Sequence, residues 1–483
     1  MNQLLLTPTD TLFFRDGRPM EGALAGHGDA WPLPTVANSA LHAALHDALQ
    51  SSLLTGQAHR HDHRRGTERH LKDIRAFGSL VSAGPFPVGP EGTWFFPRPL
   101  DLTGITLAPT LAPRAQTGCS SLPAPLSATL VSNQPPTKTA PAKAWLSAAD
   151  FTAYLTGSDS PPQSAVDDHD VFIAESSIGI AMDSTTGTTR EGQLYSAHSL
   201  RLREGWKIGL LASTDEKQPD GSRRELLGQD LFKTGRGHLI LGGQQRVCTV
   251  QCSPASPIPL PRGRHDGFAL TSAGEYLVKW VLLTPAIYPA ITQGTSKRDR
   301  PRNGHCGGWL PNWVDERTGQ VLLQIVDEQE RLRRRKLNYA GQGYRTDENA
   351  TAIAARLVAA RIEKPLPITG WANGDDTLGD ESRSGAKSTH LAVPAGAVYY
   401  FACDSAKDAE ALAAALNWHG GVEAGVSPAP SGQSATSGQA GSPPPPSPIR
   451  NRRSTLLGEK GFGLGVCGTW RPHPGTPSPR STP

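Results

Sequence analysis

The chain has 483 residues, 37% of them hydrophobic, and a formal net charge of +4. That length holds two or three domains with real cores, and no apolar run in it reaches the length of a membrane-spanning helix. The charge is mildly basic, short of the strong excess of a dedicated nucleic-acid binder. Arginine outnumbers lysine; this suits bidentate phosphate contacts and follows equally from a composition rich in Ala, Gly, Pro and Arg together.

The opening Met1-Asn2-Gln3-Leu4-Leu5-Leu6-Thr7-Pro8 lacks the basic n-region and apolar stretch of a signal peptide, so a cytoplasmic chain is expected. Leu4-Leu5-Leu6 starts a strand, and Thr11-Leu12-Phe13-Phe14-Arg15 a second that ends at the tight-turn pair Asp16-Gly17. Thr35 or Asn38 can cap the helix that follows, with Leu41, Ala44, Leu45, Ala48 and Leu49 on one face. Residues 56–70 read as a polar loop. The segments around 77–86 and 94–97 read as strands. Residues 103–165, rich in Pro, Ser, Thr and Ala, are expected to be a mobile insert.

Order returns at Val171. Residues 178–203 form a long hairpin with a polar tip at 184–192, placing Leu194, Leu200 and Leu202 on one face and Tyr195, Arg201 and Arg203 on the other. Residues 239–250 are strand, turn and strand, and 253–265 a Pro-rich linker. Residues 276–283 are apolar except for Lys279, as in a central strand. A helix is expected from about Asp347 to Arg361, a strand over 397–403, and a helix capped by Ser405 with Asp408 that ends at Gly420-Gly421. Residues 425–449 are a Ser/Gly/Pro-rich, disordered insert, and 471–483 a tail. Each half mixes antiparallel strands with one or two helices, an α+β pattern.

The closing segment Gly458-Glu459-Lys460-Gly461-Phe462-Gly463-Leu464-Gly465-Val466 alternates glycine with large apolar residues. As a strand it would bury Phe462, Leu464 and Val466 on one face. The other face, at Gly461, Gly463 and Gly465, would be bare backbone open to a phosphate beside Lys460. A Gly-rich turn or bulge is the competing reading. Lys-Gly-Phe-Gly also starts like an RNA-recognition strand, without that motif's later aromatics.

No phosphate-cradling, nucleophile-elbow or zinc-protease motif is present. His42 and His46, at i and i+4 on the first helix, read as surface histidines on its polar face, with metal binding or acid–base work as alternatives. His59, His61, His63 and His70 form a loop cluster better read as solvated than as a metal site. Asp10 and Asp16 bracket the second strand, and Asp16 is explained by its turn. The basic run Arg331, Arg333, Arg334, Arg335 and Lys336 follows acidic residues and reads as an exposed helix. The six cysteines, Cys119, Cys248, Cys252, Cys306, Cys403 and Cys467, contain no Cys-x-x-Cys pair and read as reduced thiols. No cofactor and no metal are expected.

Several blocks, in order, resemble one family. They are Thr9-Asp10-Thr11-Leu12-Phe13-Phe14-Arg15-Asp16-Gly17-Arg18-Pro19, Phe77-Gly78-Ser79-Leu80, Phe96-Pro97-Arg98-Pro99-Leu100-Asp101, the 178–203 hairpin, Leu241-Gly242-Gly243-Gln244-Gln245-Arg246, Gly308-Trp309-Leu310-Pro311, Ile368-Thr369-Gly370-Trp371 and the closing Gly-rich segment. Together they are similar to the RAMP proteins of CRISPR effector complexes, specifically subunit three of the type III-B Cmr complex. The resemblance implies two packed ferredoxin-like (RRM-like) domains with long inserted loops. These would span 1–252, carrying the 103–165 insert and the hairpin as a thumb, and 266–470, carrying the 425–449 insert and a Gly-rich loop at 458–468. It implies a non-catalytic subunit of antiviral defence that holds the 5′ repeat-derived tag of the guide RNA. It would bridge the large polymerase/cyclase-like subunit to the repeating backbone subunit.

Splayed bases and phosphates held by basic groups and backbone N–H fit that role. The candidate RNA contacts are Arg15, Arg18, Met182, Arg190, Arg201, Arg203, Arg246, Lys460, Gly461, Phe462, Gly463 and Gly465. The alternative is a metal-independent RAMP-type endoribonuclease using His42 or His46, and a third reading is a metal enzyme built on the histidine loop.

Overall fold

The computed structural model describes residues 1–14, 24–26, 31–50, 79–102, 110–113, 122–131, 143–157, 162–217, 223–295, 301–302, 304–325, 351–372, 385–386, 388–420 and 449–471. Arg15, Asp16, Arg18, Cys119, the histidines from 59 to 70 and the basic run at 331–336 lie outside them. So do residues 421–448, which hold nearly all of the second expected insert, and the tail beyond 471.

Strand β1 (Asn2–Pro8) alternates buried and half-buried residues, the pattern of a strand with a helix on one face. Helix α1 (Pro34–Gln50) begins with proline in its first turn, where the missing N–H costs nothing. Its Leu41, Leu45 and Ala48 pack on Leu4 and Leu6 of β1, with Ile208, Leu210, Leu239 and Val250. The sheet beneath is antiparallel. It contains β2 (Val81–Val88) and, after the segment described below, β7 (Lys207–Ser213), β8 (Arg236–Ile240) and β9 (Val247–Pro254). Its order is β8-β9-β1-β7-β2.

The second sheet contains β10 (Tyr276–Leu282), β11 (Ala355–Arg361), β12 (Val398–Cys403) and β13 (Gly465–Thr469). Its core order is β13-β10-β12-β11, again antiparallel. Each sheet therefore has one arrangement: its fourth strand lies beside its first, then the third, then the second, with β8 added outside the fourth strand of the first sheet. The helices differ. The first sheet has α1 after its first strand and only a π-turn, Leu227–Leu231, after its third. The second has α3 (Ala406–Leu416) after its third strand, capped by the Ser405 hydroxyl on the Asp408 amide, and among the described residues no helix between its first two.

Side-chain alternation on β10 explains the layering. Val278, Trp280 and Leu282 face α3 with Leu357, Phe401, Leu412 and Leu416. Leu277 and Val281 face the first sheet and meet Phe86, Val88 and Leu211 in a shared core. From one side to the other the layers are α1, first sheet, shared core, second sheet and α3.

Two sequence expectations are corrected here. Ala355–Arg361, expected as the end of a helix, is strand β11, paired with β12 and buried at Leu357 and Val358. The expected mobile insert 103–165 contains a built element. Strands β3 (Phe95–Pro97) and β4 (Trp145–Ser147) pair, and helix α2 (Ala148–Leu155), capped by Ser147, seals Phe151, Tyr154 and Leu155 into the shared core. Three buried anchors outweigh the low-complexity composition around them.

The shared core holds a polar knot. Asp101 is buried and accepts hydrogen bonds from the hydroxyls of Tyr154 (2.8 Å) and Tyr400 (2.5 Å). Lys279, the one break in its apolar strand, donates to the Tyr154 carbonyl at 3.2 Å, and its Nζ stands 3.4 Å from the Tyr154 ring centroid. Burial pushes the Lys279 ammonium down to about 8, with the Asp101 charge opposing the shift.

Candidate nucleic-acid interface

Strands β5 (Phe172–Met182) and β6 (Thr189–Leu202) form the expected hairpin, longer than read from the sequence and starting at the Phe172–Leu202 pair. At its tip, the Asp183 carboxylate accepts the amides of Thr185 and Thr186 at 2.9 and 3.0 Å, closing a compact turn. The strand leading to the tip exposes Ile178 (75%), Ile180 (48%) and Met182 (54%). Arg190 lies in β6. The base is pinned to the body by Leu12 and Leu200, each amide 2.7 Å from the other's carbonyl oxygen.

Beside that base, Arg201 and Arg246, two of the predicted contacts, converge on one carboxylate. Asp10 Oδ1 lies 3.1 Å from Arg201 Nη2, and Asp10 Oδ2 lies 3.3 Å from Arg246 Nη1. Arg201 is also forked onto Glu175 of β5, and Arg246 donates to Gln244 Oε1 at 2.9 Å. The Thr11 amide first, and then the two guanidiniums, hold the Asp10 carboxyl below its usual range. Arg201 likewise lowers Glu175 and is itself raised by it. All four groups are partly exposed, so each pair contributes little to stability and can exchange its partner for a phosphate. Arg203 donates to the His169 carbonyl at 2.8 Å and sits at the same end of the hairpin.

Arg246 is aimed by the turn before β9. Gln244 and Gln245 adopt φ of 57° and 52°, a left-handed pair that non-glycine residues rarely supply. The Gly243 amide donates to the Phe13 carbonyl at 2.9 Å, and a Cβ on Gly242 would stand 2.5 Å from that oxygen. The turn is thereby pressed onto the 10–14 segment. It precedes the fourth strand of its sheet, as the Gly-rich segment precedes the fourth strand of the other.

The Gly-rich segment itself differs from the expected bare-faced strand. Gly458–Lys460 is a short 3-10 turn, and Gly461 and Gly463 have φ of 94° and 73°, so the alternation of a strand does not begin until Gly465. The supposed open face is filled by the protein. The Gly461 Cβ position lies 3.1 Å from the Ser82 carbonyl oxygen, and that of Gly465 lies 2.3 Å from the Trp280 indole nitrogen. Phe462 is fully buried. The N–H groups are also committed: Phe462 to Leu457, Gly463 to Pro285, and Leu464 to the Thr284 hydroxyl at 3.0 Å. The glycines are a joint between the two halves, since Gly461 also lies against Pro34 at the start of α1.

At the edge of this joint, Lys460 is half-buried. Against Gly458 of the same turn lies Arg452, which the sequence reading missed; a Cβ on that glycine would stand 3.7 Å from the Arg452 Cβ. Burial pushes its guanidinium down to about 10, and its Nε and Nη2 have no hydrogen-bond partner among the described residues. A lone arginine just after the second Ser/Gly/Pro-rich insert carried no pattern to single it out.

The His42 and His46 rings lie with centroids 4.5 Å apart, their planes tilted by 57°. His46 is 5% exposed, which corrects its reading as a surface histidine. Among the described residues no helix is long and apolar enough to cross a membrane.

A family model described as CRISPR-associated protein (Cas_Cmr3) matches residues 4–438. The chain belongs to the Cas_Cmr3 family. The matched span includes Arg201 and Arg246 and stops before the closing joint. Among solved structures, the chain is similar to one in the type III-B Cmr-β complex bound to cognate target RNA and AMPPnP. The two share 13% identity at a TM-score of 0.35, over 82% of this chain and 86% of that one. It is similar to a chain of the Csm3–Csm4 subcomplex of a type III-A interference complex at 10% identity and a TM-score of 0.33, over 83% and 92%. A chain of the Csm1–Csm4 cassette with AMPPNP shares 11% identity at a TM-score of 0.27, over 62% and 83%. No protein of curated function matches the sequence.

Proposed function

We propose that this Cas_Cmr3 chain is a non-catalytic RNA-binding subunit of a type III-B CRISPR interference complex. It holds the 5′ repeat-derived tag of the guide RNA and bridges the large polymerase/cyclase-like subunit to the repeating backbone subunits in antiviral defence. The observation that carries this reading is the meeting of Arg201 and Arg246 at Asp10, at the root of a long hairpin with an exposed apolar flank. Phosphates take the two guanidiniums from Asp10, while Ile180 and Met182 supply a wedge against splayed bases. Arg203 lies at the same edge, Arg190, Arg15 and Arg18 are further candidate contacts, and Arg452 with Lys460 supplies a second basic group. Gly461, Phe462, Gly463 and Gly465 act indirectly, by fixing the joint from which Lys460 projects.

The shared strand order of the two sheets supports a pair of ferredoxin-like units, 1–252 and 266–470, each lacking a different helix among the described residues. The burial of His46 argues against a His42–His46 acid–base pair meeting RNA.

The test uses the purified chain and a labelled RNA bearing a repeat-derived 5′ tag. Combining Arg201→Ala with Arg246→Ala should weaken binding by about tenfold and flatten its salt dependence by roughly two phosphate contacts. Unchanged affinity, or wild-type binding that ignores salt, overturns the assignment of the hairpin base. Metal-free cleavage of repeat RNA that is lost in His42→Ala or His46→Ala overturns the non-catalytic reading. Failure to capture the large and backbone subunits from their host overturns the bridging role.

A further inference from the structure

Away from the hairpin, one surface loop gathers three side chains of metal-ligand type. A backbone bridge from Ile291 to His305 brings in His305 and Cys306, and the turn at Asp315 carries Glu316 back over them. One donor atom from each of His305, Cys306 and Glu316 lies within 4.8 Å of the other two. Cys306 and Glu316 are exposed and His305 is half-buried, so a cation can reach the cluster from solvent.

The arrangement is built. His305 Nε2 stands 2.9 Å from the Val314 carbonyl oxygen and donates to it. That bond places the ring proton on Nε2 and leaves the Nδ1 lone pair facing the Cys306–Gly307 backbone, where the Gly307 amide donates to it at 2.9 Å. A ligating histidine is oriented in this way, giving its other N–H to a carbonyl. Glu316 is oriented too, its Oε2 accepting the Cys306 amide at 2.8 Å. The turn that presents Glu316 is preformed, because the Asp315 carboxylate accepts the amides of Arg317 and Thr318 and the Thr318 hydroxyl.

We propose that His305, Cys306 and Glu316 bind a zinc-class divalent cation, with water in a fourth position. A thiolate and a carboxylate neutralise a divalent ion. One nitrogen, one sulfur and one oxygen donor suit a borderline-soft metal better than calcium or magnesium, which favour oxygen alone. On uptake the Cys306 S–H bond breaks, its proton leaves to solvent, and the sulfur–metal bond forms. Nδ1 gives its lone pair to the ion in place of the Gly307 and Asn312 N–H groups, and Asn312 keeps its bond to the Pro289 carbonyl. Because the ligand is a thiolate, uptake releases the thiol proton. The ion clips residues 305–316 into one unit.

The experiment takes the full chain, strips it with a chelator and titrates it with cobalt(II). A thiolate-to-cobalt charge-transfer band should grow in the near ultraviolet and saturate at about one ion per chain. Zinc should displace the cobalt and bleach the band. Cys306→Ser should lose the band with an unchanged circular dichroism spectrum, while Cys252→Ser keeps it. His305→Ala and Glu316→Gln should each weaken cobalt binding by at least about tenfold. No saturable band, or a band that persists in Cys306→Ser, overturns the proposal.

Discussion

A Cβ built on Gly463 would stand 2.1 Å from the amide nitrogen of Ser454. The same glycine has φ of 73° and is buried, so a side chain there meets backbone and a left-handed conformation at once. Gly463→Val is therefore expected to cost more than about 4 kcal/mol, enough to unfold much of the protein. Gly187 at the hairpin tip is the control: its φ is 65°, and nothing lies within 4 Å of its Cβ position. Gly187→Ala should cost only about 1 kcal/mol, from backbone strain alone. Urea midpoints of the two variants check this, and near-equal midpoints would show that the joint is not packed as described.

The Asp10 carboxylate competes with RNA phosphate for two arginines. Asp10→Asn removes the charge and keeps the shape, leaving Arg201 with Glu175 alone and Arg246 with the neutral Gln244, so both turn more readily to phosphate. Exposed pairs of this kind are weak, so tag RNA should bind only roughly two- to fivefold more tightly. Its salt dependence should also steepen by about one counterion. Weaker binding would mean that Asp10 positions the arginines for RNA instead of competing with it.

Local patterns carried much of the fold. The strand at Leu4-Leu5-Leu6, the long hairpin, the central strand around Lys279 and the Ser405 cap were all legible, because each depends on neighbours a few residues apart. Long-range pairing defeated the rest. Ala355–Arg361 has the composition of a helix, yet pairing with β12 and burial of Leu357 decide for a strand. The Gly–large alternation of 461–466 mimics a pleat, but two left-handed glycines turn it into a joint whose partners, Ser82, Pro34 and Ser454, are remote in sequence. Phe151, Tyr154 and Leu155 were hidden inside a Pro/Ser/Thr-rich stretch. At the candidate interface, Arg201 and Arg246 could be named singly, but only the tertiary structure shows that they share Asp10.

The hairpin's apolar flank should be dispensable for folding and needed for binding. Ile180 and Met182 are about half exposed, so replacing both with alanine should change stability by less than about 1 kcal/mol. If they wedge against bases, the double variant should weaken tag RNA binding by about tenfold, the scale of one lost stacking platform. The loss should be the same at low and high salt, unlike that of the arginine variants. A thermal shift assay and RNA titrations at two salt concentrations separate these outcomes. Unchanged RNA affinity at both would reassign the flank to a protein partner.

The buried knot around Lys279 sets a pH dependence whose direction follows from its shift. In the unfolded chain the ammonium titrates near its ordinary value of 10.5, whereas in the folded core it titrates at about 8. Between those values the unfolded chain holds the extra proton, so stability rises as pH increases above about 8. Tyr154 and Tyr400 work against this at higher pH. Burial raises both hydroxyls well above 10, so their unfolded forms ionise first and stability falls once pH passes about 10. The wild-type protein should therefore be most stable between about pH 9 and 10. Lys279→Met keeps the tyrosines and removes the amine, so the rise above pH 8 should vanish and the fall above 10 should remain. Urea titrations of both proteins at pH 7.5, 9 and 10.5 measure the difference, expected to reach on the order of 3 kcal/mol across the window. Parallel pH profiles for the two would mean that Lys279 is solvated in the folded chain and that the shared core is open to water there.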